Sequence, residues 1–280
     1  MTMAIYDING NNIDESGGTA QAINYDSTVK GINHRGFNSI APENTLPAYK
    51  LSKNKGFFYV ETDVSFTSDG VAVLLHDASI NRTARNADGT ALSETVNISD
   101  ITYEQALEYD FGIWKSSAYA ETKIPTLDEF LSLCKNIILH PYIELKSNGN
   151  YTQAQVESIV DAVEAHGLKG KVTYISFSSA YLGYIKNYDS SARLGYVQSG
   201  TGTANMITTA SGLQTSDNEV FLDTYDKSDT WAEECRVAGI PLEIWTIDSA
   251  ATIKAMNPYI SGVTSNSLIA GKVLYDANIA

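Results

Sequence analysis

The sequence predicts a (β/α)8 TIM barrel with a β-hairpin and an inserted segment after its second strand. Three observations predict it. Short apolar runs alternate with amphipathic stretches eight times along the chain, and strand–helix alternation implies parallel pairing. No glycine-rich phosphate turn of the kind an open doubly wound sheet often carries is present,. No long Pro, Gly or charge run marks a linker, so one large domain over residues 29–280 is expected,.

Taken in order, residues 1–28 are polar and Gly/Asn-rich and read as an arm or edge ribbon,. The strand candidates then follow as GIN (31–33), FFYVETDV (57–64), PYIEL (141–145), VTYISF (172–177), RLGYV (193–197), EVFLD (219–223), PLEIWTI (241–247) and ISGVT (260–264). Between them lie helix-like segments, among them ENTLPAYKLSKNK, TLDEFLSLCK and TQAQVESIVDAVEAHG, several opening on a Ser, Thr or Asp cap,. One run breaks the alternation. VAVLLHD (71–77) follows ETDVSFT after only Ser68-Asp69-Gly70, too short for a parallel crossover. The Asp-Gly pair is a hairpin signal, so this run should fold back antiparallel and return His76 toward the mouth of the barrel. Residues 78–123 then form a long excursion, longer than an ordinary connection, expected to lie over the active-site face.

Composition narrows the function classes. The chain has 280 residues, with 19 basic against 33 acidic side chains and a formal charge of -14. With no Lys/Arg cluster, nucleic acid is disfavoured as a partner. A small anionic substrate stays compatible, because a cation and a few basic groups reverse the potential of one cleft. Cys134 and Cys235 have neither CxxC nor metal-ligand spacing and are read as packing residues,. No window is long and apolar enough for a membrane span. The start, MTMAIYDINGNNIDESGG, lacks a basic n-region and an apolar h-region,. The default expectation is therefore cytoplasmic, with an exported or virion-borne module as the alternative. Oligomeric state is not legible.

Five side chains carry the chemistry. Glu61 and Asp63 stand at i and i+2 of a strand, so both project from one face, which in a barrel is the lumen. Carboxylates aimed into a core are costly without compensation, and a divalent cation supplies it. Glu144 in PYIEL repeats the problem on another strand. Three oxygen donors with no thiolate suit one hard cation, Mg²⁺ or Ca²⁺. Each acid alone reads better as a loop cap or a partner of Lys or Arg; three at strand ends reverse that preference and favour a site. Lys146 shares the face of Glu144, where it either contacts phosphate or balances the acid. His34, followed by Arg35 and Gly36, is a weak signal alone; paired with His76 it reads as acid–base machinery, with Arg35 forking onto phosphate oxygens.

HRGFNSIAPENTLPAYK, ETDVSFTSDGVAVLLHD with NRT after it, IPTLDEFL, YIELK and EIWTID resemble the glycerophosphodiester phosphodiesterases, from about residue 31 to 266. The resemblance implies a barrel with a segment inserted after the second strand. It implies hydrolysis of glycerophosphodiesters to sn-glycerol 3-phosphate and an alcohol, with a divalent cation on Glu61, Asp63 and Glu144. His34 and His76 match the family's catalytic histidines, Arg35 and Lys146 its phosphate contacts, and Trp245 an aromatic on its glycerol side, where packing is an equal reading. The related phosphatidylinositol-specific phospholipases C suggest attack by the substrate's own vicinal hydroxyl. One departure stands out: the family's closing Thr-Asp-x-Pro is Thr264-Ser265-Asn266-Ser267 here. The rival readings are a same-site enzyme acting on lysophospholipid or a teichoic-acid-like polymer, and a non-catalytic phosphodiester-binding module.

Overall fold

Nine strands form one sheet: β1 (Lys30–Asn33), β2 (Tyr59–Phe66), β3 (Ala72–Leu74), β4 (His140–Leu145), β5 (Thr173–Ser176), β6 (Arg193–Gln198), β7 (Val220–Thr224), β8 (Leu242–Ile244) and β9 (Ile260–Ser265). The computed structural model describes residues 29–147 and 149–279, so the expected arm over 1–28 lies outside the described residues. Every strand but β3 pairs in parallel with its neighbours, and β1 pairs with both β2 and β9, which closes the eight parallel strands into a barrel. The predicted (β/α)8 fold is thus the observed one.

Helices α1 (Leu46–Asn54), α3 (Leu127–Ile137), α4 (Gln153–Ala165), α5 (Ser179–Tyr188), α6 (Ala204–Leu213), α7 (Asp229–Ala238), α8 (Ala250–Ala255) and α9 (Ala270–Ile279) alternate with the barrel strands, whereas short α2 (Tyr103–Ala106) lies in the excursion. Their starts are set locally. Thr126 with Glu129 and Thr152 with Gln155 form capping boxes on α3 and α4, and Ser178, Ser228 and Ser249 accept from the first turns of α5, α7 and α8, satisfying amides that have no partner inside the helix.

Strand parity divides the barrel into two cores. Outward residues such as Val60, Ile143, Leu194, Leu222 and Leu242 pack with Phe130, Val156, Ile159, Leu182 and Trp231 from the helices. Cys134 and Cys235 are free thiols within that layer. Inward residues Ile32, Tyr142, Ile175, Val197 and Phe221 fill the lumen. Below them, buried Glu243 accepts from Arg193 Nη2 at 2.9 Å and from Tyr142 Oη and Lys30 Nζ at 3.3 Å, so the floor is an ion pair rather than an opening.

The run after Ser68-Asp69-Gly70 does fold back: Val64 faces Leu74 and Phe66 faces Ala72 in an antiparallel pair. The excursion beyond it gathers its own apolar cluster, Ile80, Ile98, Phe111 and Ile124 against Val73 and Leu75 of the hairpin. That cluster keeps the hairpin, and so His76, fixed over one side of the barrel mouth.

Lumen packing is tight at Gly195, where an added Cβ would lie 2.4 Å from Cζ of Phe221 and 2.8 Å from Ile175. Gly195→Ala is therefore expected to cost about 1–3 kcal/mol through overpacking, read as a lower urea midpoint at unchanged slope. A midpoint equal to the parent's would mean the lumen yields freely.

Candidate active site

The chemical residues stand on barrel strands or on the turns that directly follow strands. His34 follows β1 directly, its amide donating to Ser265 O at 2.9 Å and so extending the β1–β9 pairing. The chain then turns sharply. Arg35 has φ +54°, Gly36 φ +76°, and a Cβ on Gly36 would sit 2.7 Å from that of Ala48; only glycine fits there. The left-handed Arg35 turns its amide onto Glu61 Oε2 at 2.9 Å. Its Nη1 reaches Glu43 Oε1 at 2.9 Å and its Nε lies 3.2 Å from Asp63 Oδ2.

Glu61 and Asp63 point inward from β2, and register pairing sets Asp63 beside Glu144 of β4. One ligand oxygen from each of Glu61, Asp63 and Glu144 falls within 4.8 Å of the others, and all three residues are buried. Lys146 Nζ is 2.7 Å from Glu144 Oε1 and 3.4 Å from Asp63 Oδ1. Two of these buried oxygens, Glu61 Oε1 and Asp63 Oδ1, have no hydrogen-bond partner. A buried anionic oxygen without a partner is costly, so the trio has acceptor capacity that the protein itself leaves unused.

The electrostatics separate the three acids. Burial pushes Glu61 well above the ordinary carboxylate range, aided by Asp63 and Glu144. Glu144 is likewise raised by burial and by Asp63. Burial works against the Asp63 anion as well, but Arg35 and then Lys146 hold it down at about 2. Asp63 is therefore the fixed negative charge of the site.

Burial disfavours the charged form of both imidazoles. Burial first, then Arg35, lowers His34 to about 4, and burial also lowers His76. Their partners differ. His34 Nδ1 lies 2.9 Å from Asn266 Oδ1, while the Asn266 amide groups donate to Asp248. Since Asp248 accepts from the Asn266 amine, the Asn266 carbonyl faces His34, which makes Nδ1 the donor and leaves Nε2 with a free lone pair. His76 Nδ1 instead meets the Asp77 carboxylate at 2.6 Å. Asp77 is held by Arg82, and Arg82 by Glu43, which also binds Arg35, so a chain of ion pairs links the two sides of the mouth.

Seven of the eight residues singled out in the sequence, His34, Arg35, Glu61, His76, Glu144, Lys146 and Trp245, line one cavity of about 290 Å³; Asp63 lies just beneath as the third acid of the trio. The opposite wall is apolar, made by Ile175, Phe177 and Val197 with Trp245, whose ring meets Phe177 edge-on and whose Nε1 donates to Asp223 O at 3.1 Å. A second cleft, of about 550 Å³, shares His76 and Lys146 and runs between the excursion (Asn97, Ser99) and the start of α4 (Tyr151, Gln155).

Sequence reasoning missed the supporting shell. Asn44, at φ +54°, donates to Asp63 Oδ2 at 2.8 Å and accepts from Tyr49, Thr62 and the Asp63 amide. A non-glycine residue in this region stores strain that surrounding contacts must hold, and here those contacts set the Asp63 carboxylate. The available signal was position: Glu43 and Asn44 lie within the HRGFNSIAPENT block, and Arg82 in the NRT after His76.

Known proteins resemble the chain in both sequence and fold. The chain is 31% identical over 155 residues to a glycerophosphodiester phosphodiesterase of Caldanaerobacter subterraneus, a match covering 55% of this chain and 60% of that protein. It is 35% identical over 124 residues to human glycerophosphodiester phosphodiesterase 1, covering 44% of this chain and 35% of the other. The matched segment thus spans roughly a third to three fifths of these relatives' lengths. In fold, the chain superposes on an Oleispira antarctica phosphodiesterase solved with the product sn-glycerol-3-phosphate, with a TM-score of 0.71, 23% identity, and coverage of 90% of this chain and 97% of that one. Residues 34–267 match the glycerophosphoryl diester phosphodiesterase family, and the chain belongs to that family.

Proposed function

We propose that this chain hydrolyses a glycerophosphodiester to glycerol 3-phosphate and a free alcohol in the 290 Å³ cavity. The observation that carries the reading is the convergence there of three buried acids, two of whose oxygens accept no hydrogen bond among the described residues, with two imidazoles and two cations. A phosphodiester needs all of these kinds of group: positive charge for its oxygens, a proton acceptor and a proton donor.

The acid trio fits one divalent cation. Its donors are all hard carboxylate oxygens, as Mg²⁺ or Ca²⁺ requires, and among the described residues Glu61 Oε1 and Asp63 Oδ1 accept no hydrogen bond. Such an ion would supply Lewis-acid neutralisation of phosphate charge. The remaining work falls to the chain's own groups. Arg35 and Lys146, both lining the cavity, take phosphate oxygens; Arg35 Nη2 makes no hydrogen bond to the described residues. Trp245 and Phe177 offer an apolar bed for the glycerol carbons,. The alcohol extends into the 550 Å³ cleft beyond His76.

The two histidines take different roles because of what holds them. His34, braced by an amide and depressed to about 4, presents a bare Nε2 and is the proton acceptor for the attacking hydroxyl. His76, braced by the Asp77 carboxylate, is better able to carry a proton and protonates the leaving alcohol. The attacking hydroxyl is either water, which gives glycerol 3-phosphate directly, or the substrate's own vicinal group, which expels the alcohol and leaves a cyclic phosphodiester that water then opens to glycerol 3-phosphate. A non-catalytic binding module would have no use for two differently tuned imidazoles in one pocket.

His34→Ala and His76→Ala are each expected to lower kcat on glycerophosphocholine by about 10²–10⁴-fold, measured as glycerol 3-phosphate release; a parent protein without turnover on any glycerophosphodiester would favour the binding module. Mg²⁺ or Ca²⁺ at about a hundred times its Kd should add about 2.7 kcal/mol to the parent's stability, seen as a rise in Tm that EDTA reverses. The same ion should leave Glu61→Ala unmoved, and an identical rise in that variant would refute the trio as its site.

Asn266→Asp tests the role of His34. A carboxylate in place of the Asn266 amide favours the imidazolium, raising the His34 pKa above its present value of about 4,. A base is active only when deprotonated, so the acidic limb of kcat/KM should move to higher pH while the alkaline limb stays. An unshifted acidic limb would exclude His34 as the base.

A further inference from the structure

Asp223, on β7, is the one acid on the apolar side of the cavity, and neither the trio nor the histidine braces involve it. It is 3% exposed and lines the cavity with Trp245, Phe177 and Val197. Register pairing puts it between Val197 of β6 and Glu243 of β8. Among the described residues its carboxyl makes no hydrogen bond or ion pair, and Oδ1 is both buried and unsatisfied. The backbone carbonyl of the same residue anchors the Trp245 ring. A buried polar group left unpaired in this way is destabilising, and a ligand can relieve it.

We propose that the Asp223 carboxyl is a substrate contact that hydrogen-bonds a hydroxyl of a polyol phosphate ester seated against the Trp245–Phe177 wall. This rests on the phosphoester reading of the same cavity. Phosphate lies with Arg35 and Lys146 on one side, so the ester's carbon chain runs to the opposite wall, where among the described lining residues Asp223 alone supplies a carboxyl. Asp223 is not one of the three acids whose ligand atoms converge within 4.8 Å, so it is not set to share their cation. Burial, together with the charges of Glu243 and Glu144, pushes it well above the ordinary carboxylate range. A neutral carboxyl both donates and accepts, which matches a hydroxyl and makes a poor partner for an ammonium head.

A residue that binds substrate through an otherwise unsatisfied group should stabilise the protein when removed. Asp223→Leu is therefore expected to raise Tm, or hold it, while damaging recognition. The recognition test is calorimetric titration of the full chain, with Mg²⁺ or Ca²⁺ present, by glycerol 3-phosphate, ethyl phosphate and phosphoethanolamine. The parent should bind glycerol 3-phosphate at least about tenfold more tightly than ethyl phosphate, one good hydrogen bond being worth roughly that factor. Asp223→Leu should erase the ratio while leaving ethyl phosphate affinity intact, and Asp223→Asn should keep part of it. An unchanged ratio in Asp223→Leu, or a parent that prefers phosphoethanolamine, overturns the inference and leaves the function standing. A parent that binds none of the three overturns the function and the inference with it.

Discussion

The contact between Arg35 and Asp63 sets the rest of the site. Asp63 is completely buried, and an isolated carboxylate there would give up its charge rather than its hydration. Arg35, 3.2 Å away, and Lys146, 3.4 Å away, reverse that outcome and fix a permanent anion. Its presence then decides what its neighbours do. Glu61 and Glu144, each facing a charge of the same sign in a dry setting, are driven toward their neutral forms. Arg35 can reach inward only because its backbone is left-handed, and that conformation is tolerated because Gly36 follows it against Ala48 and because Asn44 N donates to Arg35 O at 3.0 Å.

The barrel contributes position more than chemistry. Parallel pairing delivers strand ends to one rim, and period-two alternation sends Glu61 and Asp63, or Glu144 and Lys146, to one side of their strands. The floor is sealed by Glu243 and Arg193, so side chains higher in the lumen face a closed cavity and not a channel. The hairpin completes the rim. It exists because Asp69-Gly70 reverses the chain, and it holds its place because the excursion builds its own apolar cluster against it.

Much of this was legible in the sequence, for identifiable reasons. Inward acids at i and i+2 conflict with an apolar strand, and the conflict is visible without coordinates. The hairpin announces itself by a connection too short to cross over. What stayed hidden depends on pairings between distant segments. His34 and Asn266 are 232 positions apart and meet only because β1 closes on β9; the missing aspartate was evident in the sequence, but its partner was not. Glu43 and Arg82 are polar loop residues until the hairpin brings them together. Asp223 in EVFLD looks like any acid at a strand end, and only its lack of a partner distinguishes it.

The overall charge of -14 and the anionic substrate proposed above are reconciled at this same contact. Within the trio, two cations face three acids, of which Asp63 holds its charge firmly while burial drives Glu61 and Glu144 toward neutrality. On the proposed reading, binding a divalent cation favours the ionised forms of Glu61 and Glu144, because opposite charge counters the burial that raises them. The pocket then gains two positive charges as it gains ionised acids, and its net potential moves to favour phosphate. Cation and phosphoester should therefore strengthen each other's binding by an equal free energy, as linkage requires. Selectivity for an anion in so acidic a protein is in this view a property of the loaded site, and the acids that repel phosphate alone are the ones that recruit the charge attracting it.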